Sequence, residues 1–174
     1  MYGQLIIVKP TLVSASVIIS EDVFPRLHRL FVNNECQFGL SFPAYSFTKC
    51  GSLGNIIEVL CEDKEALSSL NLVSEFDGIE ELKVMSDINE ISDYTLFRRI
   101  REKNRFEKKV ERFRKRGHED PGNMKAHIQH HNKNIFTHAY IKVRSESTGQ
   151  NYNLFIAPSE EKTARFNSFG LVMR

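Results

Sequence analysis

Residues Gln4–Lys9 have the sequence QLIIVK, a short run of apolar and β-branched residues that predicts a buried β-strand. An amphipathic helix is expected next, from Ser20 as its N-cap to about Val32. Pro25 is compatible with this helix because proline is tolerated in a first helical turn. Further along the chain, apolar runs predict three more strands and a second helix. The other predicted strands are Gln37–Pro43, Asn55–Cys61 and Gly78–Met85, and the second helix is Glu62–Leu70.

The order of these elements across residues 4–85 is β-α-β-β-α-β. This order is typical of a ferredoxin-like domain, which has an antiparallel four-stranded sheet with two helices on one face. We therefore expect a ferredoxin-like N-terminal domain over residues 1–93. Within it, Tyr45–Gly54 is expected to be a loop. Leu12–Ile19 fits either an extended continuation of the first strand or a loop packed on the core, and the sequence does not decide between them.

Residues 94–174 are expected to form a smaller C-terminal region. Strands are predicted at Thr137–Arg144 and Tyr152–Ala157, and the hydroxyl-rich, glycine-containing segment between them predicts a β-hairpin turn. A last short strand is predicted at Ala164–Met173. Together with the arginine-rich helix described next, these elements predict an α+β fold class for the whole chain.

One stretch carries most of the positive charge. Phe97–Arg116 has the sequence FRRIREKNRFEKKVERFRKR, with 11 Lys/Arg and 3 Asp/Glu. The whole chain has 24 basic and 22 acidic residues, so the rest of it is acidic, with 13 against 19. Such a concentration favours a polyanionic partner, above all nucleic acid. The alternatives are a solvated, salt-bridged surface helix and an acidic membrane or protein partner.

Local signals divide this stretch in two. Asn104 as N-cap, with Glu107 three residues later, predicts the start of a helix, and Gly117 predicts its end. Before the cap, an extended segment carries Arg98, Arg99 and Arg101. The helix has an apolar stripe of Phe106, Val110 and Phe113, and a basic face of Arg105, Lys108, Lys109, Arg112, Lys115 and Arg116.

The composition argues against several classes of protein. The longest apolar runs are too short to span a bilayer, and the first residues lack the basic region and cleavage site of a signal peptide. Neither a membrane protein nor a secreted protein is therefore expected. Cys36, Cys50 and Cys61 follow no metal-ligand spacing and cannot all pair, which favours a reduced, cytoplasmic setting.

Two features outside the basic stretch could carry chemistry. His28 lies beside the apolar stripe of the first helix, and a histidine can exchange a proton near neutral pH. The turn Ser145–Gln150 supplies hydroxyls and backbone N–H groups that can hold a phosphate or orient a ribose hydroxyl. Taken alone, each feature has a simpler interpretation: His28 as a surface histidine, and the turn as an ordinary hairpin loop. Beside a basic helix they favour metal-independent RNA cleavage, in which a base deprotonates the ribose 2′-OH and that oxygen attacks the adjacent phosphate, a reaction closed to DNA.

A histidine cluster offers a metal-binding alternative. His127, His130 and His131 have the spacing H-x-x-H-H, and the first and third would share one face of a helix, as in zinc sites. No cysteine is close in sequence and carboxylates are sparse in this segment. We therefore expect no metal and no other cofactor, and interpret the segment as a loop that adds charge near RNA.

Several motifs resemble one known family. Arg144–Gln150 (RSESTGQ), followed by Asn151–Ile156 (NYNLFI), resembles the R-S-x-S-T-G-Q…LFI signature of the CRISPR RNA-processing endoribonuclease of type I-F systems. Other segments resemble further motifs of that family in the same order: Leu27-His28 its Leu-His pair with the catalytic histidine, Gly39–Pro43 (GLSFP) its G-V-S-F-P strand, and Phe169–Leu171 (FGL) its closing aromatic-Gly-Leu segment. The agreement extends over nearly the whole chain.

The resemblance implies a metal-independent endoribonuclease that cleaves the CRISPR repeat stem-loop in pre-crRNA. It implies products with a 5′-hydroxyl and a 2′,3′-cyclic phosphate, and a protein that stays on the crRNA hairpin with the other subunits of a type I-F surveillance complex. His28 would be the general base on the 2′-OH, and Ser145 would fix that ribose. The phosphate and ribose site would be lined by Ser147, Thr148 and Gln150.

The resemblance also implies how the RNA is gripped. Arg99 and Arg101 would contact base edges in the major groove near the base of the stem, Arg99 on a guanine. Tyr152 would stack under the terminal base pair. Phosphates would be held by the helix residues Arg105, Lys108, Lys109, Arg112, Lys115 and Arg116.

Two positions depart from the family pattern. Phe169 stands where the family has a tyrosine whose hydroxyl helps to orient the catalytic histidine, so either cleavage is slower or another group orients His28. Glu111 falls where the family tends to have arginine. Two rival functions follow from the sequence: a non-cleaving subunit that binds the RNA hairpin of a crRNA complex, and a basic regulator that binds DNA.

Overall fold

The computed structural model has an α+β fold, which confirms the predicted class. It describes residues 1–47, 50–101, 112, 114–117, 126, 129–130, 133–134, 136–145, 148–161 and 165–173. The strands are β1 Tyr2–Val8, β2 Gly39–Ser41, β3 Ser46–Phe47, β4 Gly51–Ser52, β5 Ile56–Cys61, β6 Leu82–Val84, β7 Asn89–Glu90, β8 Phe97–Ile100, β9 Tyr140–Arg144 and β10 Asn151–Pro158. The helices are α1 Ala15–Ile18, α2 Phe24–Val32, α3 Lys64–Ser69 and α4 Leu72–Glu75, with a π-helical turn at Ile19–Val23.

The N-terminal sheet is antiparallel and has the strand order β2-β5-β1-β6, with β7 paired to the start of β1. In β1, Gln4, Ile6 and Val8 are buried, as expected for a strand with one face on the core. The first predicted strand is therefore confirmed. The predicted strand Gly78–Met85 is too long, because strand pairing in that segment covers only Leu82–Val84.

The helical run begins earlier than the sequence predicts. Ser14 has the extended backbone of an N-cap, and the chain is helical from Ala15 to Val32. The prediction that Ser20 caps the helix is therefore wrong, and Leu12–Ile19 is partly helical rather than extended. Ser20 is buried inside the run, where its hydroxyl donates to the Ser16 carbonyl at 2.7 Å. Pro25 lies in the first turn of α2, as expected.

Helix α2 sets the position of the candidate base. Phe24, Leu27 and Phe31 recur at helical spacing and are all buried, so this stripe faces the core. His28 follows Leu27 and is half-buried beside the stripe, as the sequence predicts. The packing of α2 therefore leaves the imidazole at the edge of the core.

The second sheet has the order β8-β10-β9 and is antiparallel. The hairpin β9–β10 confirms the predicted strands, and Gly149 in its turn has a φ of +67°, a conformation in which glycine carries no side-chain penalty. Ile141, Leu154 and Ile156 belong to the same buried cluster as Ile6 and Leu27 of the N-terminal part. The boundary at residue 93 stays a prediction.

Two other segments differ from expectation. The predicted loop Tyr45–Gly54 contains the two-residue strands β3 and β4, which pair with each other. Among the described residues of the predicted strand Ala164–Met173, only single bridges form, at Phe166 and Val172, around a tight turn. Gly170 has a φ of +68° there, and this left-handed backbone reverses the chain instead of extending it.

Most of the basic helix lies outside the described residues. This applies to its predicted cap and stripe (Asn104, Glu107, Phe106, Val110 and Phe113) and to Arg105, Lys108 and Lys109. Arg112, Arg114 and Lys115 are helical and exposed. Gly117 has a φ of +78°, and its N–H donates to the Arg114 carbonyl at 3.0 Å. The predicted end of the helix at Gly117 is therefore confirmed. Within the described part of the chain, no helix is both long and apolar enough to cross a bilayer.

We predict that Glu58→Gln stabilises the protein at neutral pH. Glu58 lies on the central strand β5, and burial raises the pKa of its carboxyl. The native state then keeps this proton to a higher pH than the unfolded chain, so the free energy of unfolding falls as pH rises above the usual glutamate pKa. The glutamine amide of the variant does not titrate, so the variant does not lose free energy of unfolding in this way. The melting temperature of the variant should exceed that of the wild type at pH 7, and the difference should shrink towards pH 4.

Glu62→Gln, at an exposed position just beyond the same strand, is the matched control and should leave the melting temperature unchanged at both pH values. A Glu58→Gln protein less stable than the wild type at pH 7 would show that the carboxylate is stabilised by its surroundings.

Candidate active site

An open cleft of about 1360 Å³ lies between the helical run and the β9–β10 hairpin. It exceeds the roughly 300–1,000 Å³ of a typical small-molecule pocket. One wall comes from the π-helical turn and α2, the other from β9, β10 and Phe169. The lining residues are Ser20, Glu21, Phe24, Pro25, His28, Lys142, Val143, Arg144, Ser145, Gly149, Asn151, Tyr152, Asn153 and Phe169.

A partly buried hydrogen bond joins the two walls. The backbone N–H of Lys142 on β9 donates to the Ser20 hydroxyl at 3.1 Å, while that hydroxyl donates to Ser16. Ser20 thus satisfies a strand N–H and a helix carbonyl together. The bond fixes the π-helical turn against the hairpin, and so fixes the distance between the helix that carries His28 and the strand that leads into Ser145.

His28 is held by a backbone carbonyl. Its Nδ1 lies 2.7 Å from the carbonyl oxygen of Ser168. A carbonyl oxygen only accepts hydrogen bonds, so Nδ1 carries the proton. In the neutral ring, Nε2 then has the lone pair. This is the tautomer in which a histidine can accept a proton through Nε2.

An aromatic ring fixes the plane of the imidazole. Phe169 is stacked on His28 with ring centroids 4.4 Å apart and an angle of 21° between the planes. The same phenyl ring is also stacked with Phe24, with ring centroids 5.8 Å apart. The sequence left open whether another group orients His28 in place of the family tyrosine hydroxyl. In the structure, the Ser168 carbonyl and the phenyl ring both contact the imidazole.

The turn that presents Ser168 and Phe169 is itself tightly bonded. Asn167 Oδ1 accepts the N–H groups of Phe169 at 2.8 Å and Leu171 at 3.2 Å. Leu171 is fully buried, so losing its acceptor would cost about 1–3 kcal/mol. The Gly170 carbonyl accepts the N–H of Leu40 in β2 at 2.8 Å, and a Cβ at Gly170 would come within 2.7 Å of Leu40 Cγ. This turn is therefore anchored to the N-terminal sheet.

The hairpin turn places Ser145 at the other wall. Its N–H donates to the Gln150 carbonyl and its carbonyl accepts from Gly149, both at 2.8 Å. Its hydroxyl accepts the N–H of Thr148 at 3.4 Å, and the Thr148 hydroxyl lies 3.5 Å from the Gln150 N–H. Ser145 and Gly149 line the cleft, whereas the exposed Thr148 and Gln150 do not. Ser147 lies outside the described residues.

Arg99 contacts Tyr152, one of the residues that line the cleft. Tyr152 lines it from β10, and the guanidinium carbon of Arg99 on β8 lies 5.7 Å from the centre of the tyrosine ring, within cation–π range. Arg101 is exposed just after β8, and Arg112, Lys115 and Arg116 are exposed further along. The structure thus brings His28, Ser145 and Tyr152 to one cleft, with Arg99 against it. The roles of all these residues stay predictions.

Sequence reasoning missed several residues of this site. Lys142 and Arg144 are exposed residues of β9 that line the cleft together with Val143 between them. Asn167, followed three residues later by Gly170, is a turn signal hidden by the strand prediction there. Of the histidine cluster, His130 bonds Asn134 at 3.1 Å, and His127 and His131 lie outside the described residues.

Comparison with known proteins agrees with the family resemblance. Residues 6–174 match the family model described as CRISPR-associated protein (Cas_Csy4). A search of curated proteins found no match. The matched range is nearly the whole chain and includes both walls of the cleft, which confirms the resemblance first seen at Arg144–Gln150.

Proposed function

The chain belongs to the Cas_Csy4 family of CRISPR-associated proteins, and from this premise we propose that it is the metal-independent endoribonuclease that cleaves the CRISPR repeat stem-loop in pre-crRNA. The observation that carries the proposal is the shared cleft. It holds His28, with Nδ1 on the Ser168 carbonyl, opposite the Ser145 turn. A base with a proton-accepting nitrogen and a hydroxyl-rich turn therefore line the same cleft, which supports a role for both in the reaction.

The reaction follows from these two groups. Nε2 of His28 takes the proton of a ribose 2′-OH, and the resulting oxygen attacks the adjacent phosphorus. The bond from phosphorus to the 5′-oxygen of the next nucleotide breaks, and that oxygen takes up a proton. The products are a 2′,3′-cyclic phosphate and a 5′-hydroxyl. Ser145 fixes the ribose from the opposite wall, and Ser147, Thr148 and Gln150 hold the phosphate and ribose nearby.

Binding of the stem-loop is assigned to the basic element and Tyr152. Arg99 and Arg101 contact base edges, and Tyr152 stacks under the terminal base pair. The Arg99 guanidinium beside the Tyr152 ring supports this, because the two proposed RNA-binding side chains are neighbours and Tyr152 lines the cleft. The phosphates are held by Arg105, Lys108, Lys109, Arg112, Lys115 and Arg116.

We also assign the architecture and the partners by proposal. Residues 1–93 form a ferredoxin-like domain, which the antiparallel order β2-β5-β1-β6 supports, and residues 94–174 form the RNA-binding region. After cleavage the protein stays on the crRNA hairpin as a subunit of a type I-F surveillance complex in the cytoplasm. Positive charge on the described end of the basic helix supports retention of the product.

The proposal is tested on a denaturing gel with the cognate repeat RNA and excess protein in EDTA. Cleavage at one site, with a cyclic phosphate on the 5′ fragment, is the expected result. Binding without any product would favour the second candidate, a non-cleaving hairpin-binding subunit, which the replacement of the family tyrosine by Phe169 supports. Equal affinity for a DNA hairpin of the same sequence would favour a DNA-binding regulator instead.

We predict that Tyr152→Leu weakens RNA binding while Tyr152→Phe does not. Stacking on a base is worth roughly 1–3 kcal/mol, so the leucine variant should raise the Kd about 5- to 150-fold. Filter binding of the repeat hairpin measures this. Tyr140→Leu is the matched control, since Tyr140 is an exposed tyrosine on β9 that packs against Phe155 and does not line the cleft. Equal Kd values for all three variants and the wild type would remove Tyr152 from the RNA interface.

A further inference from the structure

We propose that Asn167 is a positioning residue that sets the tautomer and the orientation of His28 through a single peptide group. The proposal concerns the candidate base of the proposed function, and its kinetic part rests on that function. Its structural part does not, because the state of the imidazole can be measured in the protein without RNA.

The two hydrogen bonds at issue belong to the same peptide unit. The carbonyl of Ser168 accepts from His28 Nδ1 at 2.7 Å, and the N–H of Phe169 donates to Asn167 Oδ1 at 2.8 Å. These C=O and N–H groups are the two ends of the peptide bond between residues 168 and 169. A peptide group is planar, and in the trans form its C=O and N–H point in opposite directions. Holding the N–H on Asn167 therefore aims the C=O at the imidazole.

Asn167 can do this because it is itself fixed. Its Oδ1 also accepts from the buried Leu171, its N–H donates to the Leu171 carbonyl at 2.9 Å, and its carbonyl accepts from Gly170 at 2.9 Å. Just beyond, Val172 donates to the Phe97 carbonyl at 2.9 Å. The side chain of Asn167 thus connects a rigid, buried anchor to a peptide whose other end faces the cleft.

The same bonds strengthen one another. An N–H that donates to Asn167 polarises its peptide, which makes the Ser168 oxygen a better acceptor for the Nδ1 proton. Stacking of Phe169 on His28 fixes the plane of the ring, but a phenyl group has no acceptor that could select a tautomer. The Ser168 carbonyl therefore selects the tautomer of His28, and Asn167 sets the direction of that carbonyl.

The experiment measures the imidazole nitrogens of His28 by long-range ¹H–¹⁵N NMR of the free protein, at a pH where histidine rings are neutral. The wild type should show the Nδ1–H tautomer. Asn167→Ala should shift the signals towards the Nε2–H form, and Asn167→Ser, which keeps one shorter acceptor, should shift them less in the same direction. Asn167→Asp keeps an oxygen acceptor for both N–H groups and should retain the wild-type tautomer.

The same variants are then measured in single-turnover cleavage with saturating protein. Asn167→Ala should slow the step roughly 10- to 100-fold, the range known for the partners that orient metal-ligating histidines, with the Kd for RNA unchanged. Asn167→Asp should restore the rate. Asn55→Ala, which removes a 3.2 Å side-chain bond to the Val8 carbonyl away from the cleft, is the matched control and should alter neither the tautomer nor the rate.

Unchanged His28 nitrogen signals in both the alanine and the serine variants would overturn the proposal, whatever the RNA assay shows. So would a shift of equal size in Asn55→Ala, because it would reflect general loosening of the fold. A tautomer that depends on Asn167, in a protein that does not cut the repeat, would leave the positioning role intact and refute the proposed function instead.

Discussion

His28→Ala is expected to lower the single-turnover cleavage rate of the repeat RNA by roughly 10²- to 10⁴-fold, the usual contribution of a general base. His28 is half-buried at the wall of the cleft, and it is the residue whose ring nitrogen is held by the Ser168 carbonyl. It lies on α2, remote in sequence from the basic stretch Phe97–Arg116. The Kd of the RNA hairpin should therefore stay within a few-fold of the wild-type value.

The measurement needs both quantities from one protein preparation, a cleavage rate at saturating protein and a Kd from filter binding. His130→Ala is the matched control, because it removes an exposed histidine whose recorded partner is Asn134. Its cleavage rate at saturating protein should match the wild type, because His130 does not line the cleft. If His28→Ala loses affinity in proportion to its loss of rate, His28 is a binding residue and the proposed mechanism has lost its base.

Local sequence patterns could predict the helix and the hairpin that form the candidate site, but not the contacts that orient its side chains. Phe24, Leu27 and Phe31 recur at helical spacing and pack α2 on the core. This spacing is a local pattern that the sequence shows directly. Gly149 marks the hairpin turn for an equally local reason. The bond between Ser20 and Lys142 joins residues 122 positions apart, and that between His28 and Ser168 joins residues 140 apart. No propensity or period in one segment reports such pairings.

Two of the wrong predictions lie in segments that form the candidate site. Ser20 has the side chain of an N-cap, but its hydroxyl bonds back to the helix and across to β9, and Ser14 occupies the cap position. The segment around Phe169 has the apolar composition of a strand, but Gly170 and Asn167 turn it back on itself. At Ser20 a tertiary hydrogen bond to β9 outweighs the local preference, whereas around Phe169 the local turn bonds of Asn167 outweigh the apolar composition.

The turn around Phe169 also gives a physical meaning to the departure from the family pattern. A tyrosine hydroxyl could hold an imidazole directly, and a phenylalanine cannot. Here the backbone carbonyl of Ser168 bonds Nδ1 while the phenyl ring stacks against the imidazole plane. The orientation of the histidine is thus secured by a peptide group and a ring face, which the residue type at position 169 alone does not reveal.

A single 2′-deoxy substitution at the scissile nucleotide is expected to abolish cleavage completely while leaving binding unchanged. The 2′-oxygen is the nucleophile of the proposed reaction, so its removal leaves Nε2 of His28 with no proton to accept and the phosphate with no attacking group. The contacts assigned to Arg99, Arg101 and Tyr152 are to bases, and they do not involve this hydroxyl. The measurement is a denaturing gel with saturating protein, alongside filter binding of the same RNA.

The matched control moves the deoxyribose to the neighbouring nucleotide on the 3′ side, where the 2′-OH is not in line with the scissile phosphate. That substrate should be cleaved at the rate of the all-ribose RNA and should give the same cyclic phosphate end. Equal cleavage of the substrate deoxygenated at the scissile position would show that water attacks the phosphate directly. The Ser145 turn would then have no ribose hydroxyl to orient, and His28 would have to activate water instead.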